Sequence, residues 1–384
     1  MRILFVCNEY PPAPHGGIGV FVKSLAEALI EKGHDAVVVG YDPSVQARVE
    51  QNIHGVVVIR LPKKQFRTIR IGRYGVSMDI PWSRYKLSME VEKSIKRFKP
   101  DIVESFDWSG PLWKKPSAPL LVRMHGANTA HQVYENKKVS KLLYYFERKN
   151  LQFADMLCAV SMHIGELTLS SLNLEKKSFK CIYNFIDTEV FKPGISTVRD
   201  ARKLLYVGRI HPRKGLYELF LLLRFLFELD TLLYIELAGP YSENYKNKLL
   251  KLLPKDCRKR IFFLGKIPHQ ELPGLYSSAS LFIMPSRAEA FGLTAIEAMA
   301  CGTPVFMTNR ASAPEIIEDG VDGFLFDINE PEMSAQRIIE VLDDPQKLSA
   351  ISSRALSKVQ KKFSKQVVVS ENLLAYNAVL HADF

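Results

Sequence analysis

The chain has 384 residues, and its 52 Lys and Arg against 41 Asp and Glu give a formal net charge of +11 at neutral pH. This length exceeds what one hydrophobic core usually serves, so we expect two domains. With 47% hydrophobic and 24% charged residues and no repeat or low-complexity tract, the composition is that of an ordinary globular protein and excludes a disordered or fibrous chain.

Cysteine usage and apolar segments indicate the compartment. The five cysteines are scattered, odd in number and without any C-x-x-C pair, so they indicate neither a disulfide framework nor a zinc site. Met1 leads directly into an apolar strand, so we expect no signal peptide. The most apolar helical segment, Leu216–Leu229, is too short to span a bilayer. We therefore expect a cytoplasmic protein, attached to a membrane at most peripherally on the inner face.

Short apolar runs alternate with helical stretches through the first half of the chain, which predicts a parallel α/β sheet. The predicted strands are Ile3–Cys7, Ala36–Val39, Val56–Leu61, Ile102–Ser105, Leu120–Met124, Met156–Val160 and Lys180–Tyr183. The predicted helices are Val20–Lys32, Arg84–Phe98, Ser140–Phe153 and His163–Ser171.

The alternation restarts after Thr188–Asp200, a segment whose proline, glycine and serine residues suggest a linker. The predicted strands that follow are Lys203–Val207, Leu232–Ala238, Ile261–Leu264, Leu281–Met284 and Val305–Thr308. Helices are predicted at Leu216–Leu229 and Leu293–Ala300, and the tail from Pro331 is mostly helical. The pattern predicts two doubly wound, Rossmann-like parallel-sheet domains with ligand sites at the carboxyl ends of their strands.

The segment Pro285–Pro304 combines a loop and a helix that suit an anionic ligand. Glu289 lies in the predicted loop and Glu297 in the predicted helix. The first turn of a helix offers free N–H groups and a positive partial charge, which favour a phosphate. Gly292 at the start of the helix allows the backbone to approach such a ligand closely. The two carboxylates can therefore bracket a ligand that lies over the helix N-terminus.

This segment resembles the Glu-x7-Glu motif of retaining nucleotide-sugar glycosyltransferases of family 4, which have the GT-B fold. The proline, the serine, both glutamates, Phe-Gly-Leu and Ala-Met-Ala-Cys-Gly-Thr-Pro all match. The resemblance covers nearly the whole chain and implies two domains that face each other across a cleft. It implies an acceptor-binding domain over 1–190, a nucleotide-sugar-binding domain over 191–365 and a last helix, 366–384, that packs back on the first domain.

The resemblance assigns roles to residues of the second domain. Arg209 and Lys214 match the family's Gly-Arg…Lys-Gly motif and would hold the donor diphosphate. Glu289 would hold sugar hydroxyls and stabilise positive charge, and Glu297 would bind the ribose. The donor-binding set also contains Phe291, Gly292 and Leu293. The nearby bases Arg213 and Arg287 are interpreted as surface residues.

Three loops of the first domain carry further candidates. Gly16 and Gly17, in a glycine-rich turn after the first strand, would sit near the donor diphosphate and the acceptor. His125 follows the strand Leu120–Met124 and matches a histidine of the family that contacts the donor sugar. Asp107 and Trp108 follow Ile102–Ser105 in the same way and are candidate acceptor contacts, with plain packing as the alternative for Trp108.

The sequence contains no Asp-x-Asp triplet and no metal-ligand spacing, so no metal cofactor is expected. The resemblance implies transfer of a sugar, with retention, from a UDP- or GDP-linked donor to a hydroxyl of a glycan or lipid-linked acceptor. His125, Arg209, Lys214 and Glu289 would be the catalytic residues, and cell-envelope polysaccharide or glycolipid synthesis the setting. The alternatives are a nucleotide-sugar epimerase or phosphorylase on the same fold, or a non-catalytic sugar-binding relative.

Two segments depart from the family pattern. Asn184–Asp187 reads Asn-Phe-Ile-Asp where Asn-Gly-Val-Asp is common, so Phe185 replaces a flexible glycine. Gly239-Pro240 stands where Gly-Asp-Gly is usual. These departures concern the local base or hinge geometry, not the chemistry.

Positive charge is concentrated in the first half, where residues 1–190 hold 27 Lys and Arg against 19 Asp and Glu. The segment Arg60–Arg73 contains six bases and no acid, interleaved with Phe66, Ile69 and Ile71. Such a segment is expected to meet an anionic membrane or acceptor, with a solvated loop as the alternative. Nucleic acid is not expected, because no recognition motif accompanies the bases.

Overall fold

The computed structural model describes residues 1–13, 16–63, 69–71, 74–76, 79–135, 138–194 and 198–381, and it divides into two units. The first unit combines Met1–Tyr183 with Val368–Phe384, and the second unit is Asn184–Val367. The chain therefore passes from one unit to the other twice. The first passage lies a few residues before the boundary at 190 that the sequence suggested.

The first unit is built on a mostly parallel sheet. Its strands are β1 (Arg2–Val6), β2 (Asp35–Asp42), β3 (Val49–Ile53), β4 (Val56–Pro62), β5 (Ile69–Ile71), β6 (Tyr74–Val76), β7 (Ile102–Phe106), β8 (Leu120–Met124), β9 (Met156–Ala159) and β10 (Lys180–Cys181). Eight of these strands form one sheet in the order β10-β9-β8-β7-β1-β2-β4-β3, and β5 and β6 form a separate antiparallel pair. All neighbours in the large sheet are parallel except β3 and β4.

The edge strand β3 was not predicted, because its sequence is polar and exposed. It pairs with β4 through a two-residue turn at His54 and Gly55, both of which have positive φ, 49° and 86°. The Asn52 side chain accepts a hydrogen bond from the Gly55 N–H at 2.9 Å. Two central residues with positive φ define a type I′ turn, which matches the twist of the strands that it joins.

In the described part of the first unit, five helices precede the linker. They are α1 (Gly17–Glu31), α2 (Asp79–Phe98), α3 (Asn128–Glu135), α4 (Lys141–Phe153) and α5 (Met162–Ser171). In α1 the buried residues include Phe21, Leu25 and Leu29, whose spacing of four places them on one face against the sheet. The hydroxyls of Ser140 and Ser161 cap α4 and α5 by accepting hydrogen bonds from backbone N–H groups of the first turn.

The second unit is built on a six-stranded parallel sheet. Its strands are β11 (Asp200–Val207), β12 (Tyr234–Ala238), β13 (Ile261–Gly265), β14 (Ala279–Met284), β15 (Val305–Thr308) and β16 (Phe324–Phe326). Its helices are α6 (Leu216–Leu229), α7 (Glu243–Leu250), α8 (Leu272–Ser277), α9 (Leu293–Ala300), α10 (Ala313–Ile316), α11 (Pro331–Leu342) and α12 (Pro345–Lys358). Short 3-10 turns occur at Pro212–Lys214, Asp256–Arg260 and His269–Glu271, and a π turn at Val359–Phe363.

The order of the parallel strands reverses once in each sheet, and each reversal point lies beside loops that the sequence singled out. The second sheet has the order β13-β12-β11-β14-β15-β16, with the reversal between β11 and β14. In the first sheet the reversal lies between β1 and β7. Doubly wound sheets bind ligands outside the carboxyl ends of their strands at such points. The predicted fold class, two doubly wound α/β domains, is confirmed.

The last helix, α13 (Lys365–His381), belongs to the first unit from Val368 onward. It packs on a buried polar network of the first sheet. Arg123 of β8 donates to Glu104 of β7, with Nε 2.6 Å from Oε1, and also donates to the side-chain oxygen of Asn372. The Tyr376 hydroxyl donates to the other oxygen of Glu104. Because these groups are buried and paired, the helix is fixed in one register against the sheet.

The two passages between the units lie side by side within the second unit. The Ile186 N–H donates to the Phe363 carbonyl at 3.0 Å, and the Lys365 N–H donates to the Ile186 carbonyl at 3.1 Å. Phe185, which replaces the usual glycine of the family, is buried next to this pairing.

Candidate active site

The loop after β11 packs directly on the start of the loop after β14. Gly215 has a φ of +70°, and a Cβ placed on it would lie 1.8 Å from the carbonyl oxygen of Pro285. Only glycine permits this approach. As a result, Lys214 Nζ lies 2.8 Å from Glu289 Oε2. The structure thus brings together two of the predicted catalytic residues beside the reversal point of the second sheet.

The backbone on either side of Glu289 is held by a residue that the sequence did not reveal. Ser312, which is fully buried, directs its hydroxyl to the carbonyl oxygens of Glu289 at 3.1 Å and of Phe291 at 3.0 Å. A serine in a Ser-Ala-Pro segment after a strand carries no local signal for this role. Ser312 fixes the loop that presents the Glu289 carboxylate.

Gly292 starts α9 in a left-handed conformation, with φ +98°. A Cβ on it would lie 3.3 Å from both Ile316 Cδ1 and Met307 Cε, a tight contact, and the positive φ itself disfavours any residue other than glycine. Phe291 is 2% exposed and packs edge-on against Phe363, with ring centroids 5.6 Å apart. The Phe291 ring therefore belongs to the core. Leu293 is the partly buried first residue of α9.

Glu297 lies one turn into α9 and has a partner within the protein. The Tyr276 hydroxyl donates to Glu297 Oε2 at 2.7 Å. Burial raises the pKa of Glu297 to about 7, although the hydrogen bond from Tyr276 acts in the opposite direction. The structure pairs Glu297 with Tyr276 and Glu289 with Lys214, so the two glutamates of the motif have distinct partners.

Arg209 is an exposed cation in the loop after β11, and its side chain makes no hydrogen bond or ion pair with any residue that the structure describes. Its backbone is fixed, because the Tyr206 hydroxyl donates to the Arg209 carbonyl at 3.0 Å. The adjacent loop after β12 lies close: a Cβ on Gly239 would be 1.9 Å from the Gly208 carbonyl oxygen. The departure Gly239-Pro240 thus keeps a glycine at the point of closest backbone approach.

Two neighbouring bases are placed differently from Lys214. Arg287 forms an ion pair with Glu218, a buried residue in the first turn of α6. Arg213 is exposed in the short 3-10 turn. The pairing of Arg287 within the protein agrees with its interpretation as a base outside the site.

In the first unit, Asp107 and His125 are joined through the backbone. Asp107 is 0% exposed, and its two carboxylate oxygens accept hydrogen bonds from the N–H groups of His125 at 2.9 Å and Gly126 at 3.0 Å. Burial raises the pKa of Asp107 to about 7, against the effect of these N–H groups. The carboxylate is therefore a support for the His125 loop, in place of the acceptor contact that the sequence suggested.

His125 is a neutral imidazole at the carboxyl end of β8. Burial, together with the positive charge of Arg123, lowers the pKa of His125 to about 3. The Phe21 ring of α1 lies edge-on to the imidazole at 5.4 Å, and the Arg123 guanidinium lies over the same ring at 4.9 Å. A neutral imidazole can donate and accept one hydrogen bond each, but it cannot act as a cationic acid at physiological pH.

Two buried residues hold the loop that carries Trp108, and the sequence did not single out either of them. Glu147 accepts hydrogen bonds from the N–H groups of Ser109, Asn128 and Thr129, at 2.9, 2.9 and 3.0 Å. Arg84 Nε donates to the Gly110 carbonyl at 2.8 Å, and burial lowers the pKa of Arg84 to about 10. Trp108 itself is partly buried, with its ring edge-on to His131 at 5.5 Å.

The glycine-rich turn places its glycines in different environments. The Gly16 N–H donates to the Glu9 carboxylate at 2.9 Å, and no described residue lies within 4 Å of a Cβ built on Gly17. A Cβ on Gly19 would be 2.0 Å from the Glu9 carbonyl oxygen. Close packing therefore requires glycine at Gly19, whereas no described residue would contact a side chain at Gly17, the first residue of α1.

The base Arg60 was expected at an anionic surface, and this part of the prediction is wrong. Arg60 is 5% exposed, with Nη1 2.8 Å from Asp42 Oδ2 and 3.0 Å from the Tyr10 carbonyl oxygen. Its Nη2 donates to the Pro11 carbonyl at 2.7 Å, so Arg60 supports the glycine-rich turn from inside. Lys63 is exposed, whereas Lys64, Phe66, Arg67 and Arg73, and the side chains of Ile69, Arg70 and Ile71, lie outside the described residues.

Within the part of the chain that the structure describes, no three His, Cys, Asp or Glu side chains form a group that could hold a metal ion. In the same residues, no helix has the length and hydropathy needed to cross a membrane.

The sequence matches known families over most of its length. Residues 187–358 match the glycosyl transferases group 1, and residues 15–190 match glycosyltransferase family 4. An uncharacterized glycosyltransferase of Methanocaldococcus jannaschii is 27% identical over 403 residues, which cover 99% of each chain. A D-inositol 3-phosphate glycosyltransferase of Catenulispora acidiphila is 30% identical over 286 residues, which cover 67% of each chain.

Solved structures share the fold. Sucrose-phosphate synthase of Thermosynechococcus elongatus superposes with a TM-score of 0.79 at 20% identity and covers 100% of both chains. HepE of Anabaena, solved in complex with UDP and glucose, superposes with a TM-score of 0.72 at 19% identity, covering 98% of this chain and 100% of that one.

Proposed function

Because the chain belongs to the GT4-type group 1 glycosyltransferases and has the GT-B fold, we propose that it moves a sugar with retention of anomeric configuration. The donor is a nucleotide-diphosphate sugar, linked to UDP or GDP. The acceptor is a hydroxyl of a glycan or of a lipid-linked molecule, and the setting is cell-envelope polysaccharide or glycolipid synthesis at the inner face of the membrane.

The observation that carries the proposal is the contact between Lys214 and Glu289, 2.8 Å apart beside the reversal point of the second sheet. Departure of a nucleoside diphosphate places negative charge on the leaving group and positive charge on the sugar. A lysine and a glutamate side by side can stabilise both charges, because the lysine offsets the negative leaving group and the glutamate offsets the positive sugar. In the proposed complex the diphosphate is held by Lys214, by Arg209 and by the free N–H groups at the start of α9, without a metal ion.

The proposed transfer proceeds on one face of the sugar. The bond between the anomeric carbon and the donor phosphate breaks, which leaves an oxocarbenium-like sugar and a phosphate oxygen with increased basicity. That oxygen accepts the proton of the acceptor hydroxyl while the hydroxyl oxygen bonds to the anomeric carbon, so configuration is retained. Glu289 holds sugar hydroxyls and stabilises the positive charge, and Glu297 binds the ribose of the donor.

We assign His125 a hydrogen bond to the sugar, because its imidazole is neutral and follows the carboxyl end of β8. Gly16 and Gly17 are assigned to the donor diphosphate and the acceptor, and Trp108 to the acceptor. An anionic acceptor suits the excess of bases in residues 1–190. The phosphorylated substrate named in the Catenulispora relative is of this kind.

The proposed membrane contact uses the exposed bases that remain once Arg60 is set aside. Lys63 is exposed beside β4, and α2 exposes Lys86, Lys93, Lys96 and Arg97. A surface with several bases attracts anionic lipids by about 1 kcal/mol for each base near the headgroups.

A panel of UDP- and GDP-sugars, incubated with and without candidate acceptors, tests the proposed reaction. Slow hydrolysis of one donor in the absence of acceptor, with the released sugar first in the donor's anomeric form by proton NMR, supports a retaining transferase. UDP-sugars should be tested first, because HepE, which has the same fold, was solved in complex with UDP. Conversion of the donor to its isomer would support an epimerase, and binding without turnover a non-catalytic relative.

A further inference from the structure

A groove runs along α2 in the first unit, and three of the bases assigned to the proposed membrane contact, Lys63, Lys86 and Lys93, line it. It lies between the exposed side of the first half of α2 and the carboxyl ends of β2 and β4, and its volume is about 400 Å³. Its apolar wall consists of Trp82, Tyr85 and Met89, with Leu61 and Pro62 opposite. Volumes of this size are typical of sites for small molecules. We call this feature the α2 groove.

The sequence of α2 explains why the groove is apolar yet open. Leu87, Val91 and Ser94 share the face that is buried against the sheet. Trp82, Tyr85 and Met89, at spacings of three and four, share a second face on which they are 39%, 42% and 40% exposed. A helix normally exposes polar residues opposite its buried face, so three large apolar side chains in one exposed row indicate a surface that binds something.

The charges around the α2 groove are mainly positive. Lys63, Lys86 and Lys93 line it, and the Lys86 ammonium lies 5.1 Å from the centroid of the Trp82 ring. The acid that lines it, Glu90, is already paired with Arg48, whose Nε lies 2.7 Å from Glu90 Oε1. Lys93 Nζ is 3.9 Å from the second oxygen of Glu90. An apolar wall with surplus lysines at its edge complements a molecule that has a hydrocarbon chain and an anionic head.

We propose that the α2 groove binds the hydrocarbon chain of a single anionic lipid, whose phosphate is held by Lys63, Lys86 and Lys93. We further infer that this lipid carries the acceptor, which narrows the acceptor of the proposed reaction to a lipid-linked phosphate. The second statement rests on the proposed function, whereas the binding of the lipid does not. Trp82 and Tyr85, stacked with ring centroids 5.7 Å apart, form the surface against which the chain lies.

Binding is measured with alkyl phosphates used as monomers below their micelle concentration, and dodecyl maltoside serves as the neutral probe with the same chain. We expect dodecyl phosphate to bind at least tenfold more tightly than dodecyl maltoside. Each pair of methylenes added to the chain should tighten binding by about tenfold until the groove is filled. A brominated dodecyl phosphate should quench tryptophan fluorescence, and most of that quenching should be lost in Trp82→Phe.

Two exposed methionines provide a matched pair of variants. Met89→Glu places a carboxylate in the α2 groove and should weaken the binding of dodecyl phosphate at least tenfold. Met333→Glu, on an exposed position of α11 in the other unit, should leave it unchanged. Lys86→Gln with Lys93→Gln should weaken the binding of dodecyl phosphate and not that of dodecyl maltoside. Circular dichroism of each variant verifies that it folds.

The α2 groove assignment is overturned if Met89→Glu binds dodecyl phosphate like the parent protein, if the neutral probe binds equally tightly, or if only vesicles and no monomeric alkyl phosphate bind. The last result would indicate a membrane surface in place of a lipid site. These outcomes are independent of the proposed reaction, which is read from donor hydrolysis without any lipid. If the protein hydrolyses a nucleotide sugar but does not bind alkyl phosphates, the proposed function stands and the proposed lipid site is refuted.

Discussion

Lys214 Nζ and Glu289 Oε2 are 2.8 Å apart, although 75 residues separate them in the chain. The contact exists because Gly215 lets one loop lie against the carbonyl of Pro285 at the start of the other. The two side chains are 34% and 17% exposed. The pair is therefore only partly desolvated, and it can separate when a ligand binds to either side chain. A structural ion pair of this exposure contributes little to stability, roughly 0 to 1 kcal/mol.

Replacing either partner should therefore affect catalysis far more than folding. We expect Lys214→Ala and Glu289→Ala each to lower kcat/KM by at least about a hundredfold, as the loss of one transition-state contact does. Unfolding temperatures should change little. The pair Lys246 and Glu243 of α7, 3.4 Å apart and with side chains 26% and 67% exposed, is the matched control, and its alanine variants should keep full activity. Near-parental turnover in either site variant would refute the assignment of the pair to the reaction.

Activity should survive chelation. In the proposed complex, Arg209, Lys214 and the α9 amides neutralise the diphosphate, so EDTA should leave the initial rate of donor hydrolysis within about twofold. The measurement is the rate in EDTA, followed by addition of Mg²⁺ or Mn²⁺. Loss of turnover that either ion restores would mean that a metal holds the diphosphate.

Ser312 should contribute to stability and to catalysis because it fixes the position of the Glu289 loop. Its buried hydroxyl serves two carbonyls of the Glu289 loop, and its removal leaves them without this donor. We expect Ser312→Ala to cost about 1 to 3 kcal/mol of unfolding free energy and to lower kcat/KM by about tenfold. Ser353→Ala is the control, because this exposed hydroxyl also donates to a carbonyl, that of Ser349 in the same helix. Equal effects of the two variants on kcat/KM would argue against a positioning role.

Some of this structure was predictable from sequence, for reasons that particular elements show. β8, α6, α9 and β15 have the predicted bounds, because each is an apolar or helix-forming run that ends at glycine, proline or a polar turn. β3 was missed, because a polar edge strand needs only one partner and has no buried face. The helix α3 was missed as well, because its first N–H groups are satisfied by Glu147, which is 19 residues away from Asn128.

The site was predictable where a local motif specifies the residue and not where a distant contact does. Lys214, Glu289 and His125 follow strands in segments that resemble a known family. Arg84 and Ser312 act through backbone carbonyls of loops far away in sequence, so nothing local marks them. The exposure of a single charged residue has the same limit, since Arg60 and Asp107 are charged residues but are buried.

His125 should remain neutral over the physiological range. Its folded-state pKa of about 3 is below the ordinary value of 6.5, so the unfolded chain binds a proton that the folded protein does not. The resulting stability is present in full above pH 6.5 and is lost as pH falls from 6.5 towards 3. We expect this loss to amount to about 2 kcal/mol, because the ring is only partly buried.

The measurement is the chemical shift of the His125 ring by NMR, which should not titrate between pH 5 and 8. In His125→Asn, the decrease of unfolding free energy between pH 6.5 and 4 should be smaller than in the parent protein. A titration midpoint of the His125 ring near 6.5 would show that burial does not control its charge.

Binding to anionic vesicles should depend on the bases that follow Arg60. Arg60 itself is buried and paired, so Arg60→Gln would report on folding and not on membranes. The test variant replaces Lys63, Lys64, Arg67 and Arg70 by glutamine. Each base near an anionic surface adds about 1 kcal/mol, so the fourfold variant should bind at least about a hundredfold more weakly even if some bases stay in solution.

The matched control replaces four exposed lysines of the second unit, Lys248, Lys251, Lys255 and Lys259, by glutamine, which gives the same net charge. Sedimentation with vesicles of increasing anionic-lipid content, at two salt concentrations, measures the binding. The parent protein and the control should bind more tightly as the anionic fraction rises and more weakly as salt increases, because screening reduces the attraction between bases and headgroups. Equal binding to neutral and anionic vesicles, or equal losses in the two fourfold variants, would assign the effect to net charge or to apolar contact and not to this segment.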